Sequence, residues 1–531
     1  MLKKNIPLGI QSFEKIRTDG YLYIDKTEYV YKLVHSGIPY FLSRPRRFGK
    51  SLLVSTLMAY WQGKKELFSG LAIEYLEANN EDAWQEYPVF YFDFNKDSYA
   101  RENALEDVLN EHLIKWEQQY GLDKGEASLP ERFRHIIEKA VNSTGKNVVV
   151  LVDEYDKPLL DVIDDNEKEE HNKELFKGFF STLKSYDSYI KFVFFTGVTK
   201  FSKVSIFSDL NQLTDISINK EFAAICGITD EEIDKYLSQN IDLISSELGL
   251  SPAECRTKLK TMYDGYHFHY DSPDIYNPYS LLCAINNMEF EPYWFSTGTP
   301  TFLIDKIRAE DFNVKLITEG KLYAERYALM EYKADDVNLI PLLYQTGYLT
   351  IKGYDKEINA LKLDYPNDEV KYSFLKSLAP MFMKNSEGIS PLEIRAFLND
   401  LNNNDLESIR HRFEALFESL PYPTDKDIRL VERNFQNVIY IVFALLGQFV
   451  KAEAHSANGR ADCIVQTGTN IYVFEFKLDK SAKDAINQVE ENRYLIPYAA
   501  DQREKTIIGV KFSSEIRNIS EWEIKSLNGG H

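Results

Sequence analysis

The first third of the chain alternates short, wholly apolar runs with amphipathic stretches, and that alternation restricts the fold more than any other feature. "PYFLS", "VFYFDF", "NVVVLVDEY" and "IKFVFFTGV" are each about one strand long. Short apolar runs separated by helices fit strands buried on both faces, as in a parallel sheet covered by helices. "KSLLVSTLMAYWQG" and a long polar helical region before "NVVVLVDEY" supply the covering layers. The pattern predicts an α/β domain over 1–222. The chain, at 531 residues, is too long for one core and predicts about three domains.

Three of these strands end in residues suited to handling phosphate. After "YFL" comes "SRPRRFGKSLL", in which Gly49, Lys50 and Ser51 open an amphipathic helix. Backbone N–H groups at such a helix start face an anion, with Lys as a compact charge and Ser as a metal ligand. Arg44 stands where such a loop ordinarily has its first glycine. The strand "VVVLV" ends in Asp153 and Glu154, adjacent acids placed to hold a magnesium-bound water and to polarise the attacking one. "FVFFT" ends at Thr196, with Thr199 and Lys200 just beyond, where a polar side chain would sense a γ-phosphate. The expected ATP ligands are Arg47, Phe48, Gly49, Lys50, Ser51, Asp153 and Thr196, with Mg²⁺ at Ser51 and Asp153 and Glu154 as the catalytic acid-base group. Arg44, Arg46 and Arg47 have three readings: phosphate contacts, a finger reaching toward a neighbouring subunit, or a solvated basic turn.

A second chemistry lies near the end of the chain, in "GRADCIVQTGTNIYVFEFKLD". Alternation puts Tyr472, Phe474 and Phe476 on one face of a strand and Glu475 with Lys477 on the other. A loop over 467–470 pairs Gln466 with Ile471, and counting outward sets Asp462 opposite Glu475. Two carboxylates side by side repel unless a cation lies between them, and oxygen ligands favour Mg²⁺ or Mn²⁺. Asp462, Glu475 and Lys477 are the expected catalytic residues for phosphodiester hydrolysis. Glu432, on a preceding helix, is a further candidate metal ligand, and Gln488 lies on the helix that follows. The competing reading is a cross-strand salt bridge on a sheet face.

Between these regions, 223–388 is helical and rich in aromatics. A helix and hairpin near 332–370 suggest a winged-helix-like part. A last unit, 389–531, is helical to Val450 and then forms a hairpin, a helix and the strand "KTIIGVKF". Net charge is −20, which argues against a surface coated everywhere in nucleic acid. From Asp425 onward roughly fourteen Lys and Arg face roughly fifteen Asp and Glu, so a nucleic-acid site fits best there. Cys226, Cys255, Cys283 and Cys463 have no CxxC spacing and read as buried thiols of a cytoplasmic protein. "VIYIVFALLGQFV" is too short to span a bilayer and reads as a buried helix.

The segments "GIQSFEKIRTDGYLYIDKT", "SRPRRFGKSL", "VDEYDKPLL", "FTGVTKFSKVSIFSDLNQLTDIS", "YDGYHF", "YNPYSLL", "YWFSTGTPTFL", "YQTGYLTI" and "YPNDEV" resemble the bacterial AAA-ATPase-like proteins that carry a C-terminal nuclease domain of the PD-(D/E)XK superfamily. The resemblance covers almost the whole chain, and in that family the arginine-containing loop is usual. It implies an α/β protein with an N-terminal P-loop NTPase sheet, a helical middle region and a C-terminal restriction-endonuclease-like domain. It also implies ATP at Lys50 and Ser51, magnesium and water handling at Asp153 and Glu154, and nuclease chemistry at Asp462, Glu475 and Lys477. It supplies no substrate; suspected links to defence and mobile elements give the expected setting. The expectation is an ATPase coupled to a Mg²⁺-dependent nuclease acting on nucleic acid, DNA first, with no membrane partner and homo-oligomerisation left open. The alternative is a nucleotide-switched nucleic-acid or protein binding module without nuclease activity, in which ATP alters a partner-binding surface made by the aromatic middle region and the C-terminal fold only grips nucleic acid. The plainer account of those aromatic motifs is packing.

Overall fold

The computed structural model describes residues 5–37, 39–122, 127–200, 213–297, 303, 306–307, 317, 322–330, 339–379, 391–418, 428–448, 450–454 and 462–527, with backbone alone at 391–392, 428–434, 436 and 453–454. The chain packs as two compact units, Met1–Phe302 with Tyr323–Glu369, and Leu303–Leu322 with Val370–His531.

The first unit is built on five strands: β1 (Tyr40–Ser43), β2 (Val89–Asp93), β3 (Val148–Asp153), β4 (Ile190–Gly197) and β5 (Thr214–Asp215). They run in the order β2-β3-β4-β1-β5, and every pairing is parallel. The four apolar runs of the sequence are therefore strands, and β3 is buried along its whole length. The chain leaves β1 toward one edge of the sheet and leaves β4 toward the other, so the direction of winding reverses between these neighbours. Ligands of open parallel sheets bind outside the carboxyl ends of the strands at such a reversal. Register brings the ends level, with Leu42 beside Thr196, Ser43 beside Gly197 and Val152 beside Phe195.

Helices Lys50–Trp61, Ala104–Tyr120, Leu129–Thr144 and Asn166–Ser185 cover the sheet. Ring contacts among Phe92, Trp116, Phe133, Phe179 and Phe180 fill one layer. Beyond β5 the chain forms helices from Asp230 to Asn287 around a second apolar core of Ile233, Leu237, Leu259, Tyr263 and Leu281. Helix Ile340–Thr346 then leads into the hairpin of β7 (Thr350–Asp355) and β8 (Ala360–Asp364), with β6 (Tyr323–Ala324) pairing on β8. The helix and hairpin expected near 332–370 are thus present over the described part, which begins at 339.

The second unit carries a mixed sheet of β9 (Lys451–Ala454), β10 (Cys463–Gln466), β11 (Asn470–Leu478), β12 (Glu504–Ser513) and β13 (Asn518–Leu527), ordered β13-β12-β11-β10-β9. Only the β11·β12 pair is parallel, and helix Ala482–Glu491 makes that crossover. Tyr472, Phe474 and Phe476 face an aromatic layer that includes Phe413 and Phe443. Val473 faces the opposite layer with Ile486 and Val489 of the crossover helix. "VIYIVFALLGQFV" lies in the helix Ile428–Leu446, and Val438–Leu446 is buried throughout. The polar stretch "LNDLNNNDLES" is mostly helical, with a turn only at 403–405. All four cysteines are buried, and none is in a disulfide. Among the described residues no helix is long and apolar enough to cross a membrane.

Candidate active sites

The phosphate loop joins β1 to helix Lys50–Trp61. Gly49 caps that helix with φ +95° and no side-chain bond, so the first-turn N–H groups have no cap acceptor. Lys50 is 3% exposed, and its Nζ donates to the Arg44 carbonyl at 3.1 Å and the Pro45 carbonyl at 3.3 Å. Glu154 Oε1 lies 3.6 Å from the same ammonium. A non-glycine residue at φ +54°, Glu154 turns the chain sharply at the end of β3.

Asp153 is 2% exposed and bonds the Ser51 side chain. Its Oδ1 has no hydrogen-bond partner among the described residues. Burial, and then the charge of Glu154, push its carboxyl up to about 7. A buried carboxylate and a hydroxyl side by side are an all-oxygen donor set with an unmet demand for positive charge, which suits Mg²⁺. The Thr196 hydroxyl, wholly buried at the end of β4, is likewise without a partner among the described residues. An apolar cavity opens beside Gly49, lined by Ile24, Leu52, Leu53, Ile228, Pro278 and Leu282.

Arg44 fits none of the three readings given to the loop arginines. It is 1% exposed, and its guanidinium donates to the carbonyls of Ser43 (2.8 Å), Ser217 (2.7 Å), Phe222 (3.0 Å) and Ala223 (3.4 Å). Its planar fork lies 3.9 Å from the centre of the Phe268 ring. Burial lowers its pKa. Arg46 and Arg47 are exposed, and Arg47 stands over Tyr279 at 4.9 Å.

The aromatic motifs of the middle region sit on this loop, where sequence alone read them as packing or as a partner-binding surface. Phe48 is 1% exposed and meets the rings of Tyr266 (4.8 Å) and Phe268 (5.5 Å) edge-on. The Trp294 indole donates to the Arg46 carbonyl at 3.0 Å, and the Gly227 N–H donates to the Phe48 carbonyl at 3.2 Å. A Cβ at Gly347 would lie 2.8 Å from Pro45. Asp156 was also missed, although "VDEYD" shows a third acid in the motif. Its Oδ2 accepts from the backbone of Val198 and of Thr199 and from the Thr199 hydroxyl.

In the second unit the hairpin has the register counted from the sequence. Gln466 pairs with Ile471 and Cys463 with Phe474, which sets Asp462 across from Glu475. Their contacts are reciprocal: the Asp462 N–H donates to Glu475 Oε2 at 3.2 Å, and the Phe476 N–H donates to Asp462 Oδ2 at 2.9 Å. Glu475, 1% exposed, also accepts from Lys477 Nζ at 2.8 Å and Gln488 Nε2 at 2.5 Å on Oε1. Opposite Glu475 on β12 stands Gly509, where a Cβ would lie 2.3 Å from the Ala482 carbonyl. That glycine lets the crossover helix come close enough for Gln488 to reach the carboxylate. Asp462 is part-exposed and the Lys477 side chain is 18% exposed, so the patch opens to solvent on that side.

Glu432 lies on helix Ile428–Leu446, but its side chain is outside the described residues, as is His455. Among the described residues no three His, Cys, Asp or Glu side chains gather as metal ligands. Two carboxylates are still an adequate protein share for Mg²⁺, which keeps waters and phosphate oxygens as its other ligands.

A family model described as "Predicted AAA-ATPase" matches residues 7–207. One described as "PD-(D/E)XK nuclease superfamily" matches 430–522. The chain is also similar to the "Uncharacterized protein in vnfD 5'region" of Azotobacter chroococcum mcd 1, with 34% identity over 547 residues, covering 99% of this chain and 100% of the relative.

Proposed function

Since this chain belongs to the AAA-ATPase-like proteins with a C-terminal PD-(D/E)XK nuclease superfamily domain, we propose that it hydrolyses ATP at the first site and phosphodiester bonds of DNA at the second. At the first site Lys50 and the Phe48–Gly49 backbone bind the phosphates, with Arg47 at the outer edge. Ser51 and Asp153 hold Mg²⁺, Glu154 receives the proton of the attacking water, and the Thr196 hydroxyl contacts the γ-phosphate. The cavity beside Gly49 takes the base.

At the second site Asp462 and Glu475 hold Mg²⁺, with Glu432 as a further ligand. Bound there, the ion supplies Lewis acidity and lowers the pKa of water. Lys477 orients the attacking water, and Gln488 fixes the Glu475 carboxylate. The observation that carries the nuclease reading is the reciprocal bonding of Asp462 and Glu475 beside Lys477. A salt bridge alone would not require the Asp462 carboxylate to be held by the next strand's backbone.

The burial of Glu475 and its pairing with Lys477 favour a second reading, in which this fold grips nucleic acid without cutting it. Both readings are tested by assaying divalent-dependent cleavage of duplex, single-stranded and branched DNA and of RNA, with ATP, ADP or no nucleotide. Lys477→Ala is expected to abolish cleavage and spare binding, and Lys50→Ala to abolish ATP turnover. Purified wild-type protein that binds these substrates and cuts none of them would establish the second reading.

A further inference from the structure

Asp156 takes no part in the chemistry above, yet it is wholly buried, and one of its oxygens collects three donors. Those donors, the Val198 N–H at 3.0 Å, the Thr199 N–H at 2.6 Å and the Thr199 hydroxyl at 2.8 Å, belong to the end of β4 and the turn beyond it. Along the other edge of the same peptides, the Arg44 N–H donates to the Gly197 carbonyl at 3.2 Å and the Ser43 hydroxyl to the Val198 carbonyl at 2.5 Å. Residues 197–199 thus form a bridge. One edge is bonded to the root of the phosphate loop and the other to the turn that carries Asp153 and Glu154.

Two observations tie this bridge to Glu154. That residue holds a left-handed backbone, φ +54°, which is strained for a non-glycine residue and persists only where its surroundings over-determine it. The two residues after it provide this constraint. The Tyr155 N–H donates to the Thr196 carbonyl at 3.1 Å, its hydroxyl donates to the Thr199 carbonyl at 3.0 Å, and Asp156 grips the bridge as described. Gly197 leaves the space that this needs, because a Cβ there would lie 2.4 Å from Asp156 Oδ1 and 2.8 Å from the Tyr155 ring. We propose that Asp156 is a positioning residue for ATP hydrolysis, holding the 197–199 bridge so that Glu154 keeps its place across the site from the phosphate loop.

The proposal rests on the ATPase reading and deepens it. A positioning role separates turnover from binding, since a displacement of about 1 Å costs roughly 100-fold in rate while the phosphate ligands stay in place. The experiment measures kcat and the Kd of a slowly hydrolysed ATP analogue for full-length wild type, Asp156→Ala and Thr199→Val. We expect kcat to fall about 100-fold in Asp156→Ala and about 10-fold in Thr199→Val, with analogue affinity within about 3-fold in both. If Asp156→Ala fails to fold, Thr199→Val, which removes one hydroxyl, decides between the outcomes. Unchanged turnover in Thr199→Val, or analogue affinity falling in proportion to kcat in a folded variant, overturns the proposal. A wild type that binds the analogue without hydrolysing ATP overturns the ATPase reading together with this proposal; active wild type with unaffected variants overturns this one alone.

Discussion

Replacing Arg44 by glycine would give the loop the residue that phosphate-binding loops ordinarily carry at that place, and the structure predicts that it damages the protein. The guanidinium serves four buried or part-buried carbonyls, those of Ser43, Ser217, Phe222 and Ala223. Stranding a buried carbonyl costs about 1 kcal/mol or more, and losing the stacked Phe268 contact costs about another 1–2 kcal/mol. Relief from burying a charge offsets part of this. The net expectation is a loss of about 3–5 kcal/mol, the range seen when one partner of a buried charged network is removed. In a unit of this size that lowers Tm by on the order of 10 °C. ATP binding should weaken with it, since the same bonds anchor the loop to the chain beyond β5. The assay is thermal unfolding of Arg44→Gly beside Arg47→Gly, with nucleotide affinity measured below both transitions. Arg47 is exposed, so its replacement should move Tm by no more than about 2 °C. An Arg44→Gly protein as stable as wild type, or one that binds ATP more tightly, would refute this account.

Two further effects can be measured independently. Burial pushes the Glu369 carboxyl up to about 7 from an ordinary 4.5, so between those values the folded state keeps a proton that the unfolded chain has lost. Stability should therefore fall as pH rises from 4.5 to 7, by at most about 3 kcal/mol at roughly 1.4 kcal/mol per pH unit. Glu369→Gln, which keeps an acceptor for Ser280 and the Trp294 N–H, should flatten that part of the profile; identical profiles for the two proteins would show that Glu369 does not titrate there. In the second unit, Gly509→Ala puts a methyl 2.3 Å from the Ala482 carbonyl. Pushing the crossover helix outward should cost about 1–3 kcal/mol and lower nuclease activity with Lys477 intact, to be read from urea unfolding and cleavage rate; unchanged values for both would mean that the helix yields without cost.

What could be read from the sequence follows from how local each signal was. The strands of the first sheet announce themselves because burial on both faces leaves no polar residue in the run, as in Val148–Val152. The pairing of Asp462 with Glu475 could be counted because a short turn fixes register. β9 and β13 escaped notice because each lies at a sheet edge, where one side of the ladder is unpaired and charged residues such as Glu521, Glu523 and Lys525 suit solvent. They blur the pattern that marks a buried strand. The bonds of Arg44 were invisible for a different reason. Three of its four acceptors lie more than 170 residues away in sequence, and no local pattern encodes which carbonyls a distant turn will present.

The same distance explains why aromatic motifs near 266, 294 and 347 pack on the candidate nucleotide loop. An anion-binding loop needs its N–H groups turned inward, which is easier when its carbonyls are engaged elsewhere. Here the Arg46 carbonyl is taken by the Trp294 indole and the Phe48 carbonyl by the Gly227 N–H, while those of Arg44 and Pro45 accept from Lys50. Phe48, between the loop's last arginine and Gly49, is seated against Tyr266 and Phe268. Glycines shape an ordinary phosphate loop by permitting backbone angles that other residues avoid. In this loop much of that work passes to side chains supplied from the middle of the chain. An arginine can then stand at a glycine position without spoiling the loop, because the shape no longer depends on the flexibility of that residue.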